Sequence, residues 1–204
     1  AGVGTDFNGM GSTFGDYDRD GDLDWFITNI TADPDEPPTG FGGWNPLYRN
    51  EGGRVFTDVT EEAGVRDSRW SWGPTVFDAD NDGDLDLYFA GSPPGGAGLF
   101  RRNADDRFED ITVAAGLAGT GRGMGTALGD MDNDGDVDLF LTHVGRDQLM
   151  RNNGDGTFTD ISLAAGFTAD GWSSSAAFCD IDTDGYLDLF VAGYVVADIH
   201  QRCS

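Results

Sequence analysis

A nine-residue aspartate-rich segment occurs four times in this chain of 204 residues and constrains its fold more than any other feature. The copies read DYDRDGDLD at 16–24, DADNDGDLD at 78–86, DMDNDGDVD at 130–138 and DIDTDGYLD at 180–188. Aspartate fills the first, third, fifth and ninth positions of every copy, and glycine fills the sixth. The copies begin 62, 52 and 50 residues apart, which predicts a chain built from repeated modules.

A second motif accompanies the first three of these Asp loops. It reads LYRNEGGRVFTDVTEEAGV from residue 47, LFRRNADDRFEDITVAAGL from 99 and LMRNNGDGTFTDISLAAGF from 149, and the copies align without a gap. The repeat predicts one propeller region with modules at about 6–66, 67–118, 119–168 and 169–204, the last of them incomplete. The extra length of the first module lies in a Pro/Gly-rich surface insertion at 31–46.

Each module has the pattern of four short strands. An apolar run such as TVF precedes the Asp loop and LDLYFAG follows it, while GLFRR and RFEDI flank a hairpin turn. One helix-like turn then follows. We expect its N-cap at Thr60, Thr112 and Ser162 and its left-handed end residue at Gly64, Gly116 and Gly166. The recurring Asp58, Asp110 and Asp160 are assigned hydrogen-bonding roles in the turn rather than catalytic ones.

Four antiparallel strands in each module of about 50 residues predict an all-β fold, a β-propeller with three full blades and half of a fourth. A β-sandwich is the alternative, but it does not explain the strict repeat. Half a blade would leave the apolar run 187–196 as an unpaired edge. We therefore expect these residues to be part of a longer chain, or to pack against other subunits as a homo-oligomer or filament.

The charge of the chain indicates a cationic partner. There are 37 acidic and 12 basic residues, giving a net charge of −25, and 19 of the acidic residues lie in the four Asp loops. Nucleic acid and anionic membranes are disfavoured, because both are bound through Lys and Arg clusters. The chain is 38% hydrophobic with 14 Phe, enough for a core, and it has no apolar run long enough to predict a membrane span.

The spacing within each loop fits Ca²⁺, which takes six to eight oxygen ligands. Carboxylates at the first, third and fifth positions point inward, glycine permits a sharp turn, the seventh residue offers its carbonyl, and the ninth closes the cage. Tyr186 at a seventh position is compatible with binding through the carbonyl. The predicted ligand residues are Asp16, Asp18, Asp20, Asp22, Asp24, Asp78, Asp80, Asp82, Asp84, Asp86, Asp130, Asp132, Asp134, Asp136, Asp138, Asp180, Asp182, Asp184, Tyr186 and Asp188.

These loops differ from EF-hands and favour Ca²⁺ over Mg²⁺. An EF-hand needs a Glu at the twelfth position, where this chain has the strand residues Ile27, Phe89, Leu141 and Val191. Mg²⁺ prefers to keep several waters. Four crowded carboxylates make six repulsive pairs, which cost roughly 6–24 kcal/mol per loop without a cation. Since a whole domain is stable by only about 5–15 kcal/mol, we predict about four Ca²⁺, one per loop.

The DxDxDGxxD loops within β-rich repeats resemble FG-GAP or VCBS repeats, as found in integrin α-chain propellers. The accompanying LYRN…FTDVTEEAG and RNNGDGTFTDISLAAG segments are similar to the repeat region of ASPIC/UnbV-type, cartilage acidic protein-like proteins. The resemblance implies a seven-bladed, calcium-binding propeller of which this chain forms part. It also implies a secreted, cell-surface or periplasmic location and a role as a scaffold for adhesion, protein interaction or self-assembly. Two alternatives stay open: a Ca²⁺-dependent glycan-binding module and the non-catalytic part of a secreted enzyme.

The remaining chemistry-bearing residues are few. His143 and His200 are the chain's histidines; neither lies in a catalytic motif, and His143 is predicted at the surface. Trp70, Trp72 and Trp172 are expected to precede inner strands and to pack in the core rather than to stack on a sugar. Trp44, in the long insertion, is the better candidate for contacting a ligand.

The sequence does not decide the roles of the two cysteines and of one glycosylation sequon. Cys179 is expected to be a small buried residue, and Cys203 can pair with it or with a cysteine beyond this chain. The sequence NIT at 29–31 is a glycosylation sequon.

Overall fold

The computed structural model describes residues 9–29, 44–66, 71–92, 96–119, 121–168 and 170–194. Within these ranges the chain forms fourteen β-strands and no helix. The strands are β1 Gly9–Gly15, β2 Asp24–Asn29, β3 Leu47–Asn50, β4 Phe56–Asp58, β5 Ser71–Phe77, β6 Asp86–Gly91, β7 Gly98–Arg102, β8 Phe108–Asp110, β9 Arg122–Gly129, β10 Asp138–Gly145, β11 Gln148–Asn152, β12 Phe158–Asp160, β13 Gly171–Cys179 and β14 Asp188–Gly193.

Consecutive strands pair antiparallel in the order expected of propeller blades. The orders β1-β2-β3-β4 and β5-β6-β7-β8 give two four-stranded blades. Strands β9 to β12 give a third blade, and the β13–β14 hairpin follows it through a short pairing between β13 and β10. The all-β prediction with three full blades and half of a fourth is therefore confirmed for the described residues, whose strands do not close into a ring.

Each Asp loop connects the first two strands of its blade. The residue before the loop pairs with the ninth Asp in every case, as in Gly15 with Asp24 and Phe77 with Asp86. Because the residues at the two ends of each loop pair with each other, every loop is a hairpin connection. The four loops therefore occupy equivalent places in successive blades.

The core lies between the blades rather than within any one of them. We call the side of a blade toward the next blade its forward face and the opposite side its backward face. Phe26 on the forward face of the first blade stacks on Phe89 of the second, with ring centroids 6.3 Å apart. Tyr88 lies in a cluster with Leu139 and Leu141 of the third blade. Stacking of modules thus buries apolar area that a single sheet would expose.

Glycines allow the first strands of neighbouring blades to touch. A Cβ on Gly11 would lie 2.2 Å from the carbonyl oxygen of Trp72, and one on Gly73 would lie 2.8 Å from the Cα of Gly125. Gly125 in turn faces the carbonyl oxygen of Ser174, 2.9 Å from its ideal Cβ position. Each of these three glycines lies five residues before an Asp loop. Because glycine has no side chain, the first strands of neighbouring blades approach each other more closely than any other residue would permit.

Within the part of the chain that the structure describes, no element packs against the forward face of the fourth unit. Phe190 is 63% exposed, although Phe140 at the matching position of the third blade is fully buried. Ile181 is exposed for the same reason. Among the described residues β14 pairs only with β13, as the predicted unpaired edge requires.

Three sequence predictions need correction here. Cys179 is exposed rather than buried. It matches Phe77, whose side chain is covered by the following blade, whereas no described residue covers the forward face of the fourth unit. Trp72 and Trp172 lie within β5 and β13 rather than before them, and both are half-buried.

Trp70, His200 and Cys203 lie outside the described residues. The described residues contain no helical segment with the length and hydropathy of a membrane span.

Candidate functional site

Three aspartates converge in every Asp loop, at its first, third and ninth positions. One carboxylate oxygen from each residue lies within 4.8 Å of the others. The four triads are Asp16, Asp18 and Asp24; Asp78, Asp80 and Asp86; Asp130, Asp132 and Asp138; and Asp180, Asp182 and Asp188. The repeat therefore brings the same three predicted ligands together four times.

Backbone amides within the loop organise the first aspartate. In the second loop, the glycine amide of Gly83 donates to Asp78 Oδ2 at 2.9 Å. The same bond recurs from Gly21, Gly135 and Gly185, at 3.1, 3.0 and 3.0 Å. These glycines have φ between 87° and 98°, a left-handed conformation that a side chain would strain. The glycine at the sixth position thus allows the turn that aims its amide at the first carboxylate.

The ninth aspartate is anchored from two sides. Asp86 Oδ2 accepts the amide of Ala79 at 3.0 Å, and its Oδ1 accepts the amide of Arg102 in the third strand at 2.8 Å. Asp24 and Asp138 are held in the same way, through the amides of Asn50 and Asn152. The loop end is thereby fixed to the middle of the blade.

Burial disfavours the charge of these ninth carboxylates. Desolvation raises the pKa of Asp24 to about 6 and that of Asp86 to about 7, and it also raises the pKa of Asp138. The two backbone amides lower each pKa but do not offset burial. Burial therefore favours the protonated form of these carboxyls, and a bound cation would favour the charged form instead.

Two oxygens of the second triad have no protein partner. Asp78 Oδ1 and Asp80 Oδ1 are buried and accept no hydrogen bond. A buried carboxylate oxygen left unpaired is costly, and a hard cation with several oxygen ligands satisfies it. The donor set of this loop therefore fits Ca²⁺, with Asp78, Asp80 and Asp86 as its side-chain ligands.

The fifth and seventh residues take other roles within the described geometry. The fifth carboxylate lies outside each triad and accepts the amide of the seventh residue, as Asp82 Oδ1 does from Asp84 at 2.8 Å. The seventh side chains of two loops are engaged elsewhere: Asp84 pairs with Arg102 and Arg19, and Asp136 accepts from Asn81. Ligation by fifth side chains and seventh carbonyls stays a prediction.

The fourth loop has the same backbone pattern but less support. Asp188 Oδ2 accepts the amide of Ile181 at 3.0 Å, but no described third strand supplies a second amide. All three members of its triad are exposed, and Tyr186 is 61% exposed. This site is the least preorganised of the four.

The sequence analysis missed the residues that close each loop from the third strand. Asn152 donates its side-chain amide to the carbonyl oxygens of Val137 and Ala79, and Asn50 donates to Leu23 in the first blade. Arg102 takes this place in the second blade and adds an ion pair to Asp84. The asparagine that ends both LYRN and LMRN in the sequence could have indicated this role.

The turn after the fourth strand is confirmed, but the predicted N-caps act differently. Thr112 Oγ1 accepts the amide of Leu99 at 2.9 Å and donates to Asp110, whose Oδ1 also accepts the Thr112 amide. The aspartate therefore caps the turn, and the hydroxyl ties it to the third strand. The blades with Thr60 and Ser162 repeat these contacts. Gly64, Gly116 and Gly166 have the expected positive φ.

His143 is not a surface residue as predicted, because it lies in β10 between paired strands and is 2% exposed. Its amide donates to Asp147 Oδ1 at 2.8 Å, and its Nδ1 lies 3.0 Å from the carbonyl oxygen of Leu141. Asp147 Oδ2 also accepts from Ser173 of the next unit at 2.6 Å. His143 thus belongs to a partly buried polar contact between blades.

Two further sequence candidates have structural partners. The guanidinium of Arg66 lies 3.9 Å from the ring centroid of Trp44, which covers one face of the ring. Asn29 of the sequon is buried, and its Nδ2 donates to the carbonyl oxygen of Trp44 at 2.6 Å. In this fold the sequon nitrogen is engaged internally.

Comparison with known sequences agrees with the repeat. Residues 38–89, 85–141 and 130–191 each match the family described as FG-GAP-like repeat. Cartilage acidic protein 1 of Xenopus tropicalis is 30% identical over 151 residues, which make up 67% of this chain and 21% of the relative. The chain thus spans about a fifth of the length of that relative.

Comparison with solved structures agrees with the fold. A lectin of Agrocybe aegerita, described as specifically recognising non-reducing terminal N-acetylglucosamine, aligns with a TM-score of 0.50 and 20% identity. The match covers 88% of this chain and 46% of the lectin chain. At this identity the likeness concerns architecture alone.

Proposed function

Because the chain belongs to the FG-GAP-like repeat family, we propose that it is a calcium-binding repeat scaffold whose Asp loops each hold one Ca²⁺. The observation that carries this proposal is the second triad, in which the buried oxygens Asp78 Oδ1 and Asp80 Oδ1 have no hydrogen-bond partner in the protein. Three backbone-anchored copies of the same arrangement support it.

The ion would act on stability rather than on a reaction. Bound Ca²⁺ cancels repulsion among the carboxylates of a loop and fixes the connection between the first two strands of its blade. Four ions change the formal charge from −25 to −17. A rigid stack of blades then presents its outer surfaces to partners.

An extracellular, cell-surface or periplasmic location suits such sites. Calcium outside cells is abundant enough for extracellular modules to work with dissociation constants of about 10⁻⁴–10⁻³ M. The exposed triad of the fourth loop belongs to this weak class because little of it is organised in advance.

Direct calcium binding tests the proposal. Equilibrium dialysis of the wild type against ⁴⁵Ca²⁺ should give about four bound ions, and Asp80→Asn should bind one fewer. Asp105→Asn removes the same charge from an exposed residue outside the loops and serves as the control. Absence of binding in the wild type, or equal loss in the two variants, would reject the calcium assignment.

The scaffold would bind further blades through the exposed faces at the two ends of the described stack. The forward face of the fourth unit presents Phe190 and Ile181, and the backward face of the first blade presents Phe14, 52% exposed and stacked on Trp25 at 5.7 Å. The two faces carry the counterparts of residues that pack together between the inner blades. A module of the same kind, on a second copy or elsewhere in a longer chain, is the partner that fits them.

Sedimentation velocity tests this contact with a matched pair of variants. Phe190→Asp should abolish concentration-dependent association of the wild type. Leu163→Asp places the same charge at a residue of nearly equal exposure, 64%, away from either face, and should leave association unchanged. A monomeric wild type at all concentrations, or equal effects of both variants, would reject self-association through this face.

Glycan binding is the alternative function. Trp44 is its best aromatic candidate, and the ring face opposite Arg66 would have to hold the sugar. A glycan array probed in calcium and in EGTA separates the two functions: sugar binding that disappears with the metal would favour the glycan module over the scaffold.

A further inference from the structure

The fourth residue of every Asp loop has an unusual backbone conformation. Its φ is 61° at Arg19, 60° at Asn81, 58° at Asn133 and 63° at Thr183. Positive φ is uncommon for residues with a side chain, although Asn tolerates it better than most. The turn projects this side chain away from its own triad.

In three blades that side chain contacts the loop of the following blade. Asn81 Nδ2 donates to Asp136 Oδ1 at 2.7 Å, across 55 residues of sequence. Asn133 Nδ2 donates to the carbonyl oxygen of Gly185 at 3.1 Å. Arg19 forms an ion pair with Asp84. The contact always runs from the fourth residue of one loop to the sixth or seventh residue of the next.

Asp136 shows what this contact does to the receiving loop. Its Oδ1 is held by Asn81, and its Oδ2 lies against Gly154, where a Cβ would approach it to 2.5 Å. Its amide donates to Asp134 Oδ1 at 2.9 Å. One side-chain oxygen and the amide are therefore both engaged, which orders the seventh residue, whose carbonyl is the predicted ligand.

We propose that the fourth residue of each of the first three Asp loops is a positioning residue for the next loop, so that Asn81 sets the calcium affinity of the third loop rather than of its own. The inference rests on the proposed function, since it concerns the same calcium sites. Ordering the seventh residue before binding reduces the conformational entropy lost when its carbonyl meets the ion. Loss of one such hydrogen bond should weaken the receiving site about three- to tenfold.

Asn81→Gly is the variant that isolates this effect. Glycine accepts the positive φ without strain, so the second loop keeps its own conformation while the link to Asp136 is lost. Asn133→Gly is the matched control, because it removes the same group one blade further on and should weaken the fourth loop instead.

Site-resolved NMR can measure each loop separately. The glycine amide at the sixth position bonds to the first aspartate of its loop, so Gly21, Gly83, Gly135 and Gly185 report the four sites. In a calcium titration of ¹⁵N-labelled protein, Asn81→Gly should shift the midpoint of Gly135 to about three- to tenfold higher calcium and leave that of Gly83 unchanged.

The outcomes separate this inference from the calcium assignment. If wild-type glycine resonances respond to calcium but Asn81→Gly leaves Gly135 unchanged, the positioning role is wrong and the calcium sites stand. A loss at Gly83, or an equal loss at all four glycines, also overturns it, because either indicates a structural role within the second loop. Wild-type resonances that ignore calcium overturn both proposals.

Discussion

Asn152 in the third blade donates its side-chain amide to the carbonyl oxygen of Ala79 in the Asp loop of the second blade, at 3.0 Å. The same nitrogen donates to Val137 of its own loop at 3.1 Å, and Asn152 Oδ1 accepts the amide of Gly154. One buried side chain therefore joins two Asp loops and the hairpin turn beside them. The loops are parts of a connected network rather than separate sites.

Replacing this asparagine should destabilise the protein far more than replacing its neighbour. Asn152→Ala leaves three backbone groups without their partner, the buried carbonyl of Ala79 and half-buried groups of Val137 and Gly154, at a cost of about 1–3 kcal/mol for each group that water cannot reach. Asn153→Ala changes an exposed residue of the same type and should alter stability by less than about 0.5 kcal/mol. Urea unfolding in calcium measures both, and equal stabilities would contradict the network.

The contact between inner strands predicts a second pair of variants. Gly125→Ala places a methyl group 2.9 Å from the carbonyl oxygen of Ser174, which belongs to the backbone and cannot rotate away. The overpacking should cost about 1–3 kcal/mol. Gly171→Ala meets no atom within 4 Å and should be neutral or stabilising. If thermal unfolding shows Gly125→Ala to be as stable as Gly171→Ala, the blades pack less closely than described.

The buried ninth carboxylates predict an unusual pH dependence without metal. Burial raises the pKa of Asp86 to about 7 and of Asp24 to about 6, both above the unfolded value. The folded state therefore binds these protons more tightly, so their contribution to stability is full below about pH 4 and is lost as the pH rises toward 7. Denaturant unfolding in EGTA at pH 5, 6, 7 and 8 should show falling stability.

Saturating calcium should reverse that trend. The ion binds the deprotonated carboxylates, so stability should rise over the same pH range as protons stop competing for them. Parallel pH profiles in calcium and EGTA would contradict a role for Asp24 and Asp86 in binding.

The sequence predicted the architecture because its signals are local and repeated. The ninth Asp and the strand after it recur in register, so the hairpins followed from spacing alone. Contacts between modules could not be predicted in this way. The predictions for His143, expected to be exposed, and Cys179, expected to be buried, were both wrong. The burial of each residue depends on whether a neighbouring blade covers it.

The same limit applies to the Asp loops. The spacing of the aspartates predicted that the first, third and ninth of each loop converge. In the structure, one carboxylate oxygen from each of them lies within 4.8 Å of the others. The link from Asn81 to Asp136 spans 55 residues and joins two modules, so no pattern within one copy of the repeat indicates it.

The central claim is that a divalent cation lets the clustered aspartates coexist, and a thermal unfolding curve in calcium and in EGTA tests it most directly. At ten times the dissociation constant each site stabilises the fold by about 1.4 kcal/mol. Four sites should then raise the midpoint on the order of 10–20 °C for a chain of this size. Superimposable curves in calcium and EGTA would contradict the account.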